Sequence, residues 1–542
     1  MKEKQTKIKF NIIAIVLIIL FCFAITPKSL QNDTFYTIKL GKYVLDNGIT
    51  MEEPFAWHEN LEYTFPHWAY DVMIYLFYAI GGQTGVYIST MLFCMILGIV
   101  LYLTNCKLSK NRFVPFITTI GTLYVLQGYI AARAQLFTFI LFILTVFFIE
   151  RFLETRYKRY AIGLIIIPII IANVHVAVFP FYFILYLPYV AEYMIYILSH
   201  TFIIINKARI ESIYKKIQKT NDTNEIENLK NKLHILENKN EERNKRRKKA
   251  SENAYKIIIK PSDNMKALII IMIICLFAGF ITPIGKVPYT YLIDTMAGDT
   301  TKSISEHKPL TLIEHLDFAC VLVIFISILM FTDTKIKLKD LFMLAGLIML
   351  SFYTRRQESM FFIITIFILN RLVTSWFSKY APNTLRKIEE KAVTIIGQTI
   401  VVLAILALSW YEYKPKMDDS YISKASYPVQ AAEWIKENLD VEKIRLYNEY
   451  NYGSYLLFQD IPVFIDSRAD LYAPEFNEGV TVFNDFLKIS GANSSTEGLL
   501  EKYDFTHFIM TSKAKLRTYM KQNEDKYKEI YEDEYFCIYE KI

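Results

Sequence analysis

KLSKNRFVPFITTIGTLYVLQGYIAARAQLFTFILFILTVFFIERFLETRYKR, residues 107–159, is the stretch whose reading decides the fold. Two apolar runs, 113–130 and 134–150, are separated only by Ala131, Ala132 and Arg133. Each run approaches the roughly 20 residues that a helix needs to cross a bilayer. Basic clusters sit at their far ends, KLSKNR at 107–112 and RYKR at 156–159. Cationic loops stay on the cytoplasmic side, so the short turn between the runs belongs to the outer face. Arg133 therefore stands where the charge rule disfavours an arginine.

The same alternation extends in both directions. Apolar spans are expected at 10–26, 84–104, 113–130, 134–150, 160–174, 176–198, 266–283, 315–331, 339–353, 357–375 and 392–410, about eleven transmembrane helices. A composition of 53% hydrophobic and 15% aromatic residues exceeds the roughly 45–50% apolar content of soluble domains. The net charge of +7 does not indicate nucleic acid, because the cations cluster in short loops between apolar runs. The N-terminal KEKQTKIK, KIKLK at 335–339 and RKIEEK at 386–391 complete the cytoplasmic set. The first apolar run has no small-residue cleavage site after it and reads as an uncleaved helix.

These loops share one side only if residues 67–80 do not cross. HWAYDVMIYLFYAI is short, amphipathic and carries Asp71, so it is expected to lie in the plane of the outer surface. Residues 27–83 then form an external first loop, and residues 1–410 form the membrane domain. Residues 200–262 are a charged cytoplasmic insert with a patchy apolar stripe, read as a solvated helical hairpin. Residues 411–542 alternate helical and strand patterns and are expected to form an extracytoplasmic α/β domain. Strands are expected at KIRLYN, IPVFID, THFIMT, YKEIYED and EYFCIYEKI. The multi-pass chain is placed in the cell (plasma) membrane with its N-terminus cytoplasmic.

The outer face collects the chemistry. Asp33 lies just past the first span, and Arg133 lies between the third and fourth. His175 is at the turn of ANVHVAVF, Glu306 and His307 are in SISEHKPL, and Arg355 and Arg356 are in FYTRRQESMFF. Ionisable groups at a bilayer are costly, which favours function, although interfacial arginines also snorkel to headgroups. A lipid phosphate calls for forked, permanent cations such as arginine. An acceptor that must lose a proton calls for a carboxylate base; Asp33 fits by position, with Glu52, Glu53 and Asp71 as alternatives. In the C-terminal domain Asp466, Arg468 and Asp470 follow a strand end, either as an acceptor or ligand site or as a structural loop ion pair.

The six cysteines have no metal spacing, and no metal ligands are assigned. His58, His67, Asp33, Glu52 and Glu53 share the first loop, which leaves room for a divalent metal without a recognised pattern.

The first helix, the external loop with its early Asp33, the LGKYVLDNG turn and FYAIGGQTGVYI resemble the GT-C superfamily of membrane glycosyltransferases. ANVH, ITPIG…SISEHKP, TRRQESMFF and LYNEYNYGSYLLFQDIPVFIDSRADLY resemble segments of its bacterial members. The resemblance covers most of the chain outside 200–262. It implies transfer of a sugar, with inversion, from a polyprenyl-phosphate donor to a glycan, lipid or protein acceptor. Asp33 would be the base, and Arg133, Arg355 or Arg356 would grip the phosphate. Many members pair two carboxylates where this chain has Asn32-Asp33-Thr34, a departure that bears on metal binding and activity. Two alternatives stay open. A glycolipid transporter or flippase should show charge buried mid-membrane, of which the spans carry almost none; a non-catalytic envelope-assembly scaffold would use the external domain for binding.

Overall fold

The computed structural model describes residues 2–220, 222–252, 256–298 and 303–542. Residues 221 and 253–255 of the charged insert lie outside the described residues. Every apolar stretch expected to span falls on helix. Among the described residues six helices are long and apolar enough to cross a membrane: Ile8–Ile25, Trp68–Ser109, Ala134–Thr155, Val176–Ile203, Arg355–Tyr380 and Ile395–Lys416. Phe113–Val125, Met265–Phe280 and Leu316–Phe331 are shorter apolar helices. Their inward faces share one apolar core, while residues such as Phe331, Ile395 and Met349 point outward and exposed. A bundle with an apolar exterior is what a lipid environment requires.

Two glycines shape the entry to this bundle. Helix Trp68–Ser109 breaks at Gly81 and Gly82, where Gly82 takes φ 58° and ψ −143°, a conformation closed to ordinary L-residues. The segment 68–80 is thereby turned away from the span that follows. Helix Asn32–Asn47 packs against it so closely that a Cβ on Gly41 would lie 2.1 Å from the Asp71 carbonyl oxygen.

The expected boundary between span and insert at 198–200 is not a helix boundary. One helix, Leu187–Ile217, runs through it, because nothing in SHTFIIINKARI breaks helix. It pairs with Thr223–Glu252 through Asn206 to Asn240 at 3.1 Å and Tyr214 to Glu237 at 3.1 Å.

The C-terminal residues build a four-stranded sheet in the order Leu446–Tyr447, His507–Thr511, Phe536–Lys541, Tyr527–Glu532. The first pair is parallel and the others antiparallel. IPVFID, expected as a strand, is not one. Its Val463 makes a single bridge to Ala56 of the first loop. The Asn448 side chain takes the neighbouring strand's place, accepting from Phe464 N at 2.8 Å and donating to the Ile465 carbonyl at 2.6 Å. Short helices at Thr496–Tyr503 and Lys515–Gln522 add to those expected.

The C-terminal unit does not stand apart from the first loop. Tyr36, Leu40, Leu61, Tyr63 and Phe65 share one apolar core with Tyr447, Phe464, Phe483 and Phe508. Trp57 donates its indole N–H to the Leu446 carbonyl at 3.1 Å. Arg468 spans the junction: its guanidinium meets Asp466 at 2.6 Å and Glu53 at 3.0 Å, with all three side chains buried. Loop and C-terminal unit together make a roof over one end of the bundle.

At the other end lies a closed ionic network. Lys339 contacts Glu150 at 2.7 Å, and Arg371 contacts Asp340 at 2.6 Å and Glu150 at 3.5 Å. The Tyr189 hydroxyl donates to Glu150 at 2.8 Å. The charges absent from the span centres are gathered here, paired.

Candidate functional site

Arg133 is the residue preceding helix Ala134–Thr155, and its extended backbone turns the side chain off the helix end. Asp33 lies in the first turn of helix Asn32–Asn47, where the free N–H groups favour a carboxylate. The two meet at 2.6 Å between Arg133 Nη2 and Asp33 Oδ2, and Arg133 Nη1 reaches Glu306 at 3.4 Å. Both Asp33 and Arg133 remain about a quarter exposed, at 21% and 26%. Three residues that the sequence places in separate outer loops thus form one cluster.

Neighbouring corners hold it. The Thr354 hydroxyl donates to the Glu306 carbonyl at 3.2 Å, and Arg355 N donates to the Lys308 carbonyl at 2.9 Å. Gln135 donates to the Ser359 hydroxyl at 3.3 Å, so the Arg133 and Arg355–Arg356 corners are joined as well. Arg355 and Arg356 lie in a short turn of 3-10 helix, half-buried, and neither guanidinium is in an ion pair among the described residues. Arg133 is committed to two carboxylates; these two pair with none among the described residues.

The charges are mutually consistent. The Asp33 carboxylate raises the pKa of Arg133 against the opposing effect of burial. Burial works to raise Glu306, yet Arg133 and Arg356 outweigh it and hold this carboxyl below its usual range. Burial first, and then Arg356, lower His307 to about 4, so it is neutral at physiological pH. His175 is buried, with Nδ1 3.0 Å from the Thr138 hydroxyl, and burial, His67 and Arg356 push it well below the ordinary imidazole value. His175 therefore lies beneath the cluster as a neutral, hydrogen-bonded support.

The alternative bases stand apart from this cluster, and one of them is fully engaged. Glu53 accepts from Arg468 and from the Phe55 and Ala56 N–H groups at 2.7 and 2.9 Å. Glu52 bridges Glu62 through its backbone and leaves its side chain exposed, while Asp71 is fully buried 3.8 Å from His67 with neither carboxylate oxygen in a hydrogen bond. His58 is held by the Phe464 carbonyl at 2.7 Å, and burial lowers it to about 4. In the C-terminal unit Asp466 and Arg468 are consumed by each other, by Glu53 and by Tyr472. Asp470 accepts from Tyr291 at 2.8 Å, tying the roof to helix Val287–Ala297.

One gathering was not apparent in the sequence. His315 Nδ1 lies 2.9 Å from Glu358 Oε2, and Asp317 joins them with donor atoms all within 4.8 Å. The signal was faint: an H-x-D before one span and a glutamate opening another. Nothing in the spacing says that the two helix starts meet.

No family model matches this chain, and no curated protein matches it. Solved structures do. The archaeal oligosaccharyltransferase AglB from Archaeoglobus fulgidus, in complex with an inhibitory peptide and a dolichol-phosphate, is similar at a TM-score of 0.53 and 12% identity. That likeness covers 92% of this chain and 69% of the other. The oligosaccharyltransferase of Archaeoglobus fulgidus in its apo form gives a TM-score of 0.52 at 12% identity, covering 94% and 69%. At this identity the likeness is one of fold.

Proposed function

We propose that the chain transfers a sugar from a polyprenyl-phosphate donor to an acceptor on the outer face of the cell membrane. The observation that carries this is the Asp33–Arg133–Glu306 cluster beside two guanidiniums with no ion pair among the described residues, on a fold like that of AglB. A neutral or fully paired corner would have nothing to offer an anion. Arg355 and Arg356 have forked donors to spare, so they grip the lipid phosphate first. As the bond from the anomeric carbon to the phosphate oxygen breaks, charge grows on that oxygen, and fixed guanidiniums stabilise it. Arg133 can exchange Asp33 for the phosphate, which releases the carboxylate to take the proton of the attacking acceptor group. Attack from the face opposite the leaving phosphate inverts the anomeric centre. Glu306 keeps Arg133 oriented, and neutral His307 can donate to or accept from a sugar hydroxyl.

In this reading the roof made by the first loop and residues 411–542 lies outside the cell and holds the acceptor, whether glycan, lipid or protein. Asp466 and Arg468 serve it by locking the roof to the loop, and Asp470 by joining it to Val287–Ala297. The test is mass spectrometry of surface glycans and glycolipids from a deletion strain, complemented by wild type or Asp33→Asn at equal membrane levels. Loss of one sugar on deletion, restored by wild type alone, is expected. Full restoration by Asp33→Asn removes the assigned base and favours a scaffold.

A further inference from the structure

The starts of two helices meet beside the phosphate corner. His315 immediately precedes helix Leu316–Phe331, Asp317 is in its first turn, and Glu358 opens Glu358–Tyr380. His315 Nδ1 approaches Glu358 Oε2 at 2.9 Å, and the Tyr129 hydroxyl donates to the same oxygen at 3.2 Å. The other oxygen, Glu358 Oε1, is buried and has no hydrogen-bond partner, on a side chain only 4% exposed. A protonated histidine paired with Glu358 accounts for Oε2 alone. It leaves Oε1 desolvated beside a second carboxylate, Asp317, whose ligand atom is within 4.8 Å and which accepts from Phe318 N at 2.9 Å.

A divalent cation removes both costs at once. We propose that His315, Asp317 and Glu358 bind one such ion. A nitrogen with two carboxylates suits Zn²⁺, Mn²⁺ or Co²⁺ rather than Ca²⁺, whose ligands are oxygens alone. Adjacent ligands about 2.1 Å from an ion stand about 3 Å apart, which the His315–Glu358 separation already matches. Tyr129 would fix the carboxylate from outside the ligand set, as partners of metal-bound groups commonly do. Glu358 follows Arg356 by two positions, so the ion would add positive charge next to the two arginines.

Binding of the ion needs no donor lipid, so its failure and the failure of sugar transfer are separate outcomes. The full chain, purified in detergent and stripped with chelator, is titrated with Co²⁺ and with Mn²⁺ alone. Expected are one tightly held ion per chain, visible Co²⁺ absorption, and nitrogen hyperfine coupling in the Mn²⁺ resonance. His315→Ala and Glu358→Gln should each weaken binding at least about tenfold, while Asp33→Asn binds as wild type does. Glu358→Gln keeps the side-chain shape, and its size-exclusion profile and melting curve separate loss of a ligand from loss of the fold. No ion on the wild type, unchanged binding in both variants, or no nitrogen coupling would each overturn the assignment.

Discussion

The two ends of helix Ala134–Thr155 carry charge in opposite ways. At one end Arg133 meets Asp33 and Glu306, about a quarter open to solvent, next to two guanidiniums that form no ion pair among the described residues. At the other, Glu150 and Asp340 are both paired by Lys339 and Arg371, with Tyr189 joining the set, and Arg371 Nε stays buried without a hydrogen bond. The ends are about 25 Å apart along the axis. A paired network costs desolvation and returns it as mutual attraction, and it leaves little valence for a ligand. An open one keeps unspent donors and acceptors, which is wasteful for stability and useful for binding. The paired network is therefore read as structure, and the open cluster is the one that the proposed function uses.

The sharpest way to break this contrast is at Asp33. Asp33→Asn should lower the rate of sugar transfer by about 10²–10⁴-fold, the usual range for losing a general base. Because Asp33 is 21% exposed and its loss leaves Arg133 still paired to Glu306, the melting temperature should barely move. A variant that unfolds, or one that transfers at the wild-type rate, would erase the distinction between the ends.

The inner network should respond the other way. Arg371→Met strands Asp340 and removes one of the two cationic partners of Glu150 in a largely buried setting. Breaking a buried pair from one side costs about 3–5 kcal/mol, so thermal unfolding should come much earlier. The fraction that stays folded should transfer sugar at the wild-type rate per molecule. Loss of rate without loss of stability would move this network into the mechanism and revive the transporter reading.

How much of this was legible follows from the type of signal. Arg133 was visible because positive charge has a strong sidedness rule, and a lone arginine in a two-residue alanine turn violates it. Asp33 was visible from its place after the first span. Their pairing was not, since they are 100 positions apart and nothing local encodes which outer loops touch. The fate of IPVFID was hidden for a different reason. Its strand-like pattern is genuine, but Asn448 satisfies its backbone and Trp57 and Tyr447 pack against Phe464, so tertiary contacts override propensity. Arg468 was equally ambiguous from sequence: a bidentate donor reads alike whether its carboxylate is Glu53 or a ligand.

A smaller effect sharpens the assignment within the outer cluster. Arg356→Lys keeps the charge and loses the planar fork, so the donor KM should rise by roughly tenfold with kcat less affected. The same change at Arg133 should cost more kcat, because Arg133 is proposed to release Asp33 during the reaction. Equal effects at both positions would mean that the free and the engaged guanidinium do not differ.

The least change is expected from pH. His307 is lowered to about 4 by burial and by Arg356, whereas an unfolded histidine titrates near 6.5. Between about pH 5.5 and 8 it therefore stays neutral in the folded chain, and the donor KM should vary by no more than about twofold from this source. A protonated His307 would instead strengthen phosphate binding as pH fell through 6.5. The stability consequence has a definite sign: below pH 6.5 the unfolded chain takes up a proton that the folded chain refuses until about 4. The contribution is present above 6.5 and lost progressively as pH falls to 4. His307→Gln lacks that titration, so any stability advantage of wild type over this variant should shrink across the same window in paired melts. An advantage that grows on acidification would mean that His307 is charged in the folded protein, adding a cation beside Arg356.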